Sequence, residues 1–500
     1  MNTKPQLAAV EESIFNFLCL QPASHIYLVG GAVRDELIGK PSHDLDFVVE
    51  GDVFAIARAL ADHLHGFFYI LDHERKYARV IYETAGAGRH VIDFALLFAG
   101  DLEKDLRARD FTINAIAREI TPHEGQLIDP CGGVNDLREK ILRPCLPTCF
   151  RDDPVRIIRV ARFSVSYGLQ LSPQIRDLVP RHIPELSSVS QERKRDEFFK
   201  ILDERNAIQG VSILHDMGVL QEFLPELTPL SNFAQGSPHI HNGWQHTRHA
   251  VQYCELMANH VQSKEQVDDT SLRVADIFHV LDEYRDNLQR DFNSHLVFER
   301  SLRTLFLFAA LYHDVGKPLD SAIEQSGRLR YPHHQALGAE KIASRAVTLA
   351  LSRVEVQWLQ RFVAHHMDLH AVILSEDDQN QRAALFHFYQ AAKDTTPLVA
   401  LFSLADLLAT YGDTIPEQRW QLGLARCRLA LEGWYAHYQE LVDPQLYFNG
   451  DELQERLGIK PGKQVGELLT SLKEAQAAGI VRSPQDAEQW LREQIIDRKE

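Results

Sequence analysis

Short apolar runs separated by polar punctuation dominate the N-terminal part of the chain. IYLV (26–29) and LDFVV (45–49) read as short buried strands, and the stretch between them, AVRDELIG, reads as a helix closed by Gly39 and Pro41. GFFYI (66–70), ARVIY (78–82) and HVIDF (90–94) are further strand-like runs, so this part is a mixed α/β unit.

From about residue 131 the apolar spacing changes to that of helices. RIIRVARFSVSYG (156–168) places apolar residues at 157, 158, 160, 161 and 165, one helical stripe, and EFFKILDE (197–204) and GVSILHDMGVLQEF (210–223) follow suit. SNFAQGSPHIHNG (231–243) is a loop and a boundary. A second helical region runs from about 244 to 435, with a charged insertion near 261–300 expected to form an exposed helix pair. Pro444, Gly450, Pro461 and Gly462 punctuate a last unit, in which Ser483-Pro484 fits an N-cap and N1 proline before DAEQWLREQ.

A chain of 500 residues exceeds one hydrophobic core, and two to four domains are expected. The boundaries read from the pattern are 1–145, 146–230, 231–437 and 438–500. Charged and apolar shares are ordinary for a globular protein, which excludes a wholly disordered, collagen-like or coiled-coil chain. With 53 Lys and Arg against 70 Asp and Glu the net charge is −17, so any nucleic-acid contact needs a local basic surface. Residues 134–205 are such a zone, with 14 basic and 11 acidic side chains. No apolar run approaches the roughly 18 residues of a membrane span. No secretory signal is visible, and six dispersed cysteines without a CxxC read as reduced cytosolic thiols, Cys145 and Cys149 being the only pair close in sequence.

The strongest chemical signal is LVGGAVRDELIGKPSHDLDFVV. Gly30 and Gly31 follow a strand and open a helix, where backbone N–H groups can approach a phosphate. Asp44 and Asp46 lie two apart on the next strand, so both carboxylates face one side, with Cα atoms roughly 6.5–7 Å apart. Such a pair can hold hard cations, and two cations about 3.5–4 Å apart activate an attacking oxygen and stabilise a leaving one. Asp93 in VIDFA could complete the cluster. Arg109 and Asp110, with Asn114, could contact ribose and phosphate while anchoring a turn. Arg156, Arg159 and Arg162 recur along one side of a helix as a candidate triphosphate clamp.

GGAVRD with DLD resembles the first motif of class II tRNA nucleotidyltransferases, the CCA-adding enzymes and the bacterial poly(A) polymerases related to them. RARDFTINAIA (107–117), IDPCGGVNDLREKILR (128–143), DDPVRIIRVARFS (152–164) and SQERKRDEFFKIL (190–202) resemble further family motifs in the same order, over about residues 25–227. Two departures are Ala108, where the family has the first arginine of RRD, and Asp152, where it has glutamate. The resemblance implies an α+β fold: a polymerase-β-like nucleotidyltransferase head with a small mixed sheet, followed by all-helical neck, HD and tail domains. It implies Mg²⁺ on Asp44 and Asp46, with Gly30, Gly31, Arg34, Arg109, Asp110, Asn114, Asp153, Arg156, Arg159 and Arg162 as nucleotide-binding residues. The family residues matching Asp153 and Arg156 read the Watson–Crick edge of CTP or ATP. A carboxylate accepts from the exocyclic amine that cytosine and adenine share, and uracil and guanine present a carbonyl where that amine should be.

The second signal is a histidine series: His246 in WQHTRHAV, His313-Asp314 in LYHDVGKP, His333-His334, His365-His366 and Asp406. Imidazoles and carboxylates inside apolar helices are costly unless satisfied, and a divalent metal satisfies them. The series resembles the HD superfamily of metal-dependent phosphohydrolases. That resemblance assigns His246, His313, Asp314 and Asp406 to a first metal (Mn, Ni, Co, Fe or Mg) and His334 and His365 to further ligation or phosphate contact, His333 and His366 competing for those roles. Metal-bound hydroxide attacking 2′,3′-cyclic or terminal phosphates is the implied chemistry.

The combined expectation is addition of C, C and A from CTP and ATP to the tRNA 3′ end, with an HD phosphohydrolase activity, in the cytoplasm and with no membrane partner. The alternatives are an enzyme adding only A or only CC, a choice the loop between the first two motifs influences in the family; a poly(A) polymerase; and an HD phosphohydrolase with an RNA-binding head. The acidic chain disfavours the polymerase and the intact DLD disfavours a dead head. PGKQVGELL in the tail presents either a phosphate-facing helix start or a packing turn.

Overall fold

The computed structural model describes residues 12–21, 25–40, 44–84, 88–97, 100–121, 125–263, 271–297, 300–325, 328–374 and 378–497. Pro41 and part of the charged 261–300 segment lie outside them. The chain divides into two compact units, residues 1–190 with 213–222, and residues 191–212 with 223–500.

The first unit is built on one mixed sheet. Its strands are β1 (His25–Val29), β2 (Asp44–Glu50), β3 (Phe67–Asp72), β4 (Tyr77–Thr84), β5 (Gly88–Leu96), β6 (Ala117–Glu119) and β7 (Leu127–Ile128), in the order β3-β4-β5-β2-β1-β6-β7. β2 and β5 are parallel; the other neighbours are antiparallel. The two-residue side-chain period sorts the faces. Leu28, Leu45, Phe47, Val49, Val80, Ile92 and Phe94 form the main core with helices α1 (Gly31–Leu37) and α2 (Val53–Leu64). Phe47 and Phe94 stack there with ring centroids 5.3 Å apart. Val29, Val48 and Ala117 point the other way, into a smaller cluster closed by Leu106 of α3 (Leu102–Arg107). Asp44, Asp46 and Asp93 have the parity of this second face.

β6 and β7 are too short to stand out in the sequence and are found only as added edges of the sheet. The exposed rim at the other side is β3, where Phe67, Tyr69 and Leu71 remain accessible. Two further helices of this unit are α4 (Gly133–Glu139) and α5 (Arg156–Tyr167). α5 buries Ile157, Ile158, Val160, Ala161 and Phe163 and stops at Gly168 in the left-handed region (φ +63°).

In the second unit the helices that carry chemistry are α6 (Gly243–Gln262), α9 (Leu302–Tyr312), α10 (His334–Thr348), α11 (Arg353–His365), α12 (Thr396–Tyr411) and α13 (Glu417–Tyr435), with α7 (Leu272–Glu283) and α8 (Arg285–Asn293) in the charged segment. α9 and α12 are buried on every side, as helices apolar all round must be. The stretch 379–414 is long and apolar enough to cross a membrane, yet 94% of its most apolar window is buried inside the fold.

α7 and α8 depart from the expected exposed pair. Their own stripe of Val274, Ile277, Val280, Leu281, Leu288 and Phe292 is buried. The Trp420 indole on α13 donates to Asp276 at 2.7 Å, and Arg273 pairs with Glu417. The charges are the outer face of an amphipathic pair that packs by its inner one. The tail helices α14 (Gly450–Leu457), α15 (Lys463–Ala477) and α16 (Pro484–Asp497) enclose a core of Leu453, Leu468, Leu472 and Leu491. Ser483 caps α16 by accepting from the Asp486 amide at 3.1 Å, as the Ser-Pro pattern predicts.

Candidate functional site

The parallel pairing of β2 and β5 sets Asp46 directly opposite Asp93, with Asp44 two residues back on the same face. Burial lifts the Asp46 carboxyl to about 6; Arg109 opposes that rise, while Asp93 and Asp44 add to it. Asp93 is neutralised from the other side. Arg79, its register partner on β4, forks onto both oxygens at 2.8 and 2.9 Å, and the Tyr77 hydroxyl donates at 2.7 Å. Asp93 therefore stands beside Asp46 but offers no idle oxygen, and the three carboxylates do not converge as ligand atoms among the described residues. Arg79 and Tyr77 are site residues that sequence reasoning missed, although YARVIY (77–82) places them two apart on a strand beside VIDF.

Gly30 ends β1 in the left-handed region (φ +73°), and a Cβ there would lie 2.8 Å from Arg109 Nη1. The glycine thus admits an arginine fork beside the strand end. Arg109 is also held by Asp105 at 3.2 Å. Gly31 opens α1 next to the Arg34 guanidinium.

Most of the remaining motif residues form one buried network. Arg34 donates to the Asn114 side-chain oxygen, forks onto Asp35 at 2.9 and 3.0 Å, and covers the Tyr167 ring at 4.1 Å. Asn114 donates to Asp110 at 3.0 Å, and Arg159 reaches the other Asp110 oxygen at 2.6 Å. Burial alone would raise the Asp110 pKa, but Arg159, Asn114 and the Phe111 amide hold it below the ordinary value. Three motifs far apart in sequence are tied together through Asp110. Such a network is worth keeping only when every member is satisfied.

The arginines of α5 are not equivalent. Arg156 donates to the Ala108 carbonyl at 3.0 Å, Arg159 is spent on Asp110, and Arg162 lies over the Phe163 ring at 4.6 Å. Asp153 caps the short Cys149–Asp152 turn just before α5, one turn from Arg156. The Cys149 thiol faces the Asp110 carbonyl at 3.2 Å rather than Cys145.

In the second unit the histidines converge. His246 Nε2 lies 3.2 Å from His313 Nε2 and 3.1 Å from Asp406, and His313 Nε2 lies 3.2 Å from Asp314. His334 Nε2 faces His366 Nε2 at 3.4 Å and Asp314 at 3.7 Å. His246, His313 and Asp406 make one ligand group, and Asp314, His334 and His366 a second. All six are buried.

The tautomers test whether a cation fits. His313, His334 and His366 each donate Nδ1–H to the carbonyl three residues back, at 2.8, 2.6 and 2.7 Å. A carbonyl only accepts, so in the neutral ring that a metal requires each Nε2 carries a lone pair aimed at the centre. Lone pairs facing one another over little more than 3 Å need a cation between them. The carboxylates are primed for the same charge: burial would raise Asp314 and Asp406, yet the surrounding imidazoles, with Lys317 beside Asp314, hold both well below the ordinary value.

Adjacent helix residues point about 100° apart, and this corrects one expectation. His365 turns outward onto Asp368 at 2.7 Å, and His366 turns inward. His333 is exposed beside Asp320. Gly316 explains the tight HDVG turn: a Cβ there would sit 2.0 Å from the His334 carbonyl. Lys317, His239 and His370 were not singled out from sequence. Lys317 donates to Asp314 at 2.6 Å and to Gln235 at 2.8 Å, His239 is pushed down to about 4 by burial and by Lys317, and His370 faces Asp406 at 3.6 Å.

Residues 26–143 match the Poly A polymerase head domain, residues 168–230 the probable RNA and SrmB-binding site of polymerase A, and residues 243–411 the HD domain. An A-adding tRNA nucleotidyltransferase of Deinococcus radiodurans is 33% identical, covering 93% of this chain and 94% of that protein. A CC-adding tRNA nucleotidyltransferase of Geobacter sulfurreducens is 28% identical over 93% of this chain and 91% of its own. The solved Thermotoga maritima CCA-adding enzyme complexed with tRNA shares the fold, with a TM-score of 0.58 at 20% identity over 98% of this chain and 96% of that one.

Proposed function

This chain belongs to the tRNA nucleotidyltransferase family, and we propose that it extends tRNA 3′ ends from CTP and ATP through its head while its HD region hydrolyses phosphoesters. The observation that carries the first half is the register of β2 against β5, which puts Asp46 opposite Asp93 beside the open strand end at Gly30.

In this reading Asp44 and Asp46 hold Mg²⁺, which when bound supplies the positive charge that aligns the tRNA 3′-hydroxyl with the α-phosphorus and helps pyrophosphate leave. The chain's own residues do the rest. Arg79 and Tyr77 hold Asp93 in place beside them. Gly30, Gly31 and Arg109 form the phosphate approach, and Asp153 and Arg156 read the amine edge of cytosine or adenine. Arg34, Asn114, Asp110 and Arg159 fix those elements relative to one another, so Arg159 and Arg34 position rather than clamp. Catalysis is positioning plus charge stabilisation.

In the HD region, His246, His313, Asp314 and Asp406, with His334 and His366, hold a divalent transition metal. Bound there, it supplies a nucleophilic hydroxide and polarises the phosphoester, with 2′,3′-cyclic or terminal phosphates of RNA ends as substrates. Lys317 and His239 line the approach and steer the anion.

The reading of complete CCA addition has one competitor with a specific observation behind it. The full-length relatives above are an A-adding and a CC-adding enzyme. Extension at single-nucleotide resolution decides. The substrates are tRNA lacking CCA, tRNA ending in C and tRNA ending in CC, each with CTP, ATP or both and Mg²⁺. All three reaching a defined CCA end supports one complete enzyme. One A added to the CC end alone, or growth that stops at CC, supports the partial reading. Long A tails or no extension by the folded chain overturns both.

A further inference from the structure

A cleft of about 690 Å³ opens onto Asp314, His334 and Asp406. One wall is the face of α13 formed by Arg419, Leu422, Gly423 and Arg426, spaced i, i+3, i+4 and i+7. Gly423 makes this wall possible. A Cβ there would lie 2.6 Å from Leu407 Cδ1, so glycine lets α13 lie tightly against α12, which carries Asp406.

The two arginines sit two turns apart, about 10 Å along the axis. Both are held by neutral groups. Arg419 donates to the Tyr411 hydroxyl at 2.7 Å with its guanidinium 5.3 Å from that ring. Arg426 donates Nε–H to the Val372 carbonyl at 2.7 Å. Neither pairs with a carboxylate among the described residues. Burial, and then the charge of Arg419, lower the Arg426 pKa, so the two guanidiniums feel each other along this wall. Two like charges on one wall repel until an anion arrives, and a guanidinium fork suits phosphate. Both residues lie beyond the 243–411 match. The metal-ligand cluster and Lys317 already provide for one phosphate, so the arginines provide for another.

We propose that Arg419 and Arg426 form an anion subsite that grips a non-reacting phosphate, so that the HD cleft prefers nucleotides carrying a second phosphate besides the one hydrolysed. The inference rests on the phosphohydrolase reading above. Apolar cleft walls at Leu407, Leu422 and Met367 leave room for the nucleoside between the two phosphates.

The test compares hydrolysis of adenosine 2′,3′-cyclic phosphate with that of its 5′-phosphorylated form by the Mn²⁺-loaded full chain. The 5′-phosphate is expected to lower KM by about tenfold or more. R419Q and R426Q should each erase most of that advantage through KM, with kcat for the 5′-phosphorylated compound moving far less, and R419K should restore part of it. Equal KM values in the unaltered chain, or an undiminished advantage in both glutamine variants, overturns the subsite. If the chain binds Mn²⁺ but hydrolyses neither compound, the phosphohydrolase reading has failed instead. The arginines are then judged by calorimetric binding of inorganic phosphate: weaker binding in R419Q and R426Q upholds the subsite, and unchanged binding overturns it.

Discussion

The head gathers carboxylates alone, on neighbouring strands of one sheet, whereas the HD region gathers imidazoles and carboxylates from the ends and middles of several helices. The electrostatic consequences run in opposite directions. Asp46 is lifted to about 6 because burial and its acidic neighbours outweigh Arg109, while Asp314 and Asp406 are held well down by imidazoles and, at Asp314, by Lys317. The HD donors are set in advance by three Nδ1–H bonds to backbone carbonyls. In the head, Asp93 is fixed by side chains instead, the Arg79 guanidinium and the Tyr77 hydroxyl. A site of oxygen donors suits a hard cation that arrives with the nucleotide's phosphates. A mixed N/O site with its tautomers already fixed suits a transition metal retained between turnovers.

The largest effect should come from emptying one site and watching the other. H313A together with D314A should abolish divalent-metal binding at the HD cluster and lower phosphoester hydrolysis by about 10³-fold or more, while nucleotide addition changes less than about twofold. Metal content and both activities, measured on one preparation, check this, and a parallel loss of nucleotide addition breaks the separation.

The next effect is on stability, and its sign is the reverse of the usual one for an acid. The folded Asp46 pKa lies above its ordinary value, so its contribution to stability is present at low pH and is lost as pH rises through about 6. The gap between 3.8 and about 6 corresponds to roughly 3 kcal/mol. D46N should therefore raise the stability of the metal-free chain at pH 8 by up to that amount, with the gain vanishing below about pH 4. Chemical denaturation at the two pH values reads it.

Smaller again is the contrast between adjacent histidines. H366A should weaken metal binding about 10- to 100-fold, and H365A less than about threefold, by calorimetric Mn²⁺ titration. The smallest is G30A. A side chain at φ +73° that also crowds Arg109 should cost about 1–2 kcal/mol and raise KM for the nucleotide more than it lowers kcat.

How much of this was legible depended on period and on partners. The five early strands and the parity of Asp44, Asp46 and Asp93 follow from alternation, and the structure keeps them. The HD series was legible as residue types in order. The choice between His365 and His366 was not, because it turns on where α11 ends and hence which residue faces inward. Arg79 and Tyr77 were hidden because their role depends on which strand pairs with β5. The arginines of α5 read as a phosphate clamp from spacing alone, but Asp110 claims Arg159 from 49 positions away. The α7–α8 pair read as exposed because its many charges masked a narrow apolar stripe.

The central claim is that the β2 carboxylates serve nucleotide transfer and nothing in the HD chemistry. The most direct measurement is incorporation of labelled CMP and AMP into CCA-lacking and CC-ended tRNA by the unaltered chain and by D46A, with hydrolysis of a cyclic phosphodiester followed in the same preparations. The expected result is defined 3′ extension by the unaltered chain, none by D46A, and equal hydrolysis by both. Near-normal incorporation by a folded D46A would contradict it.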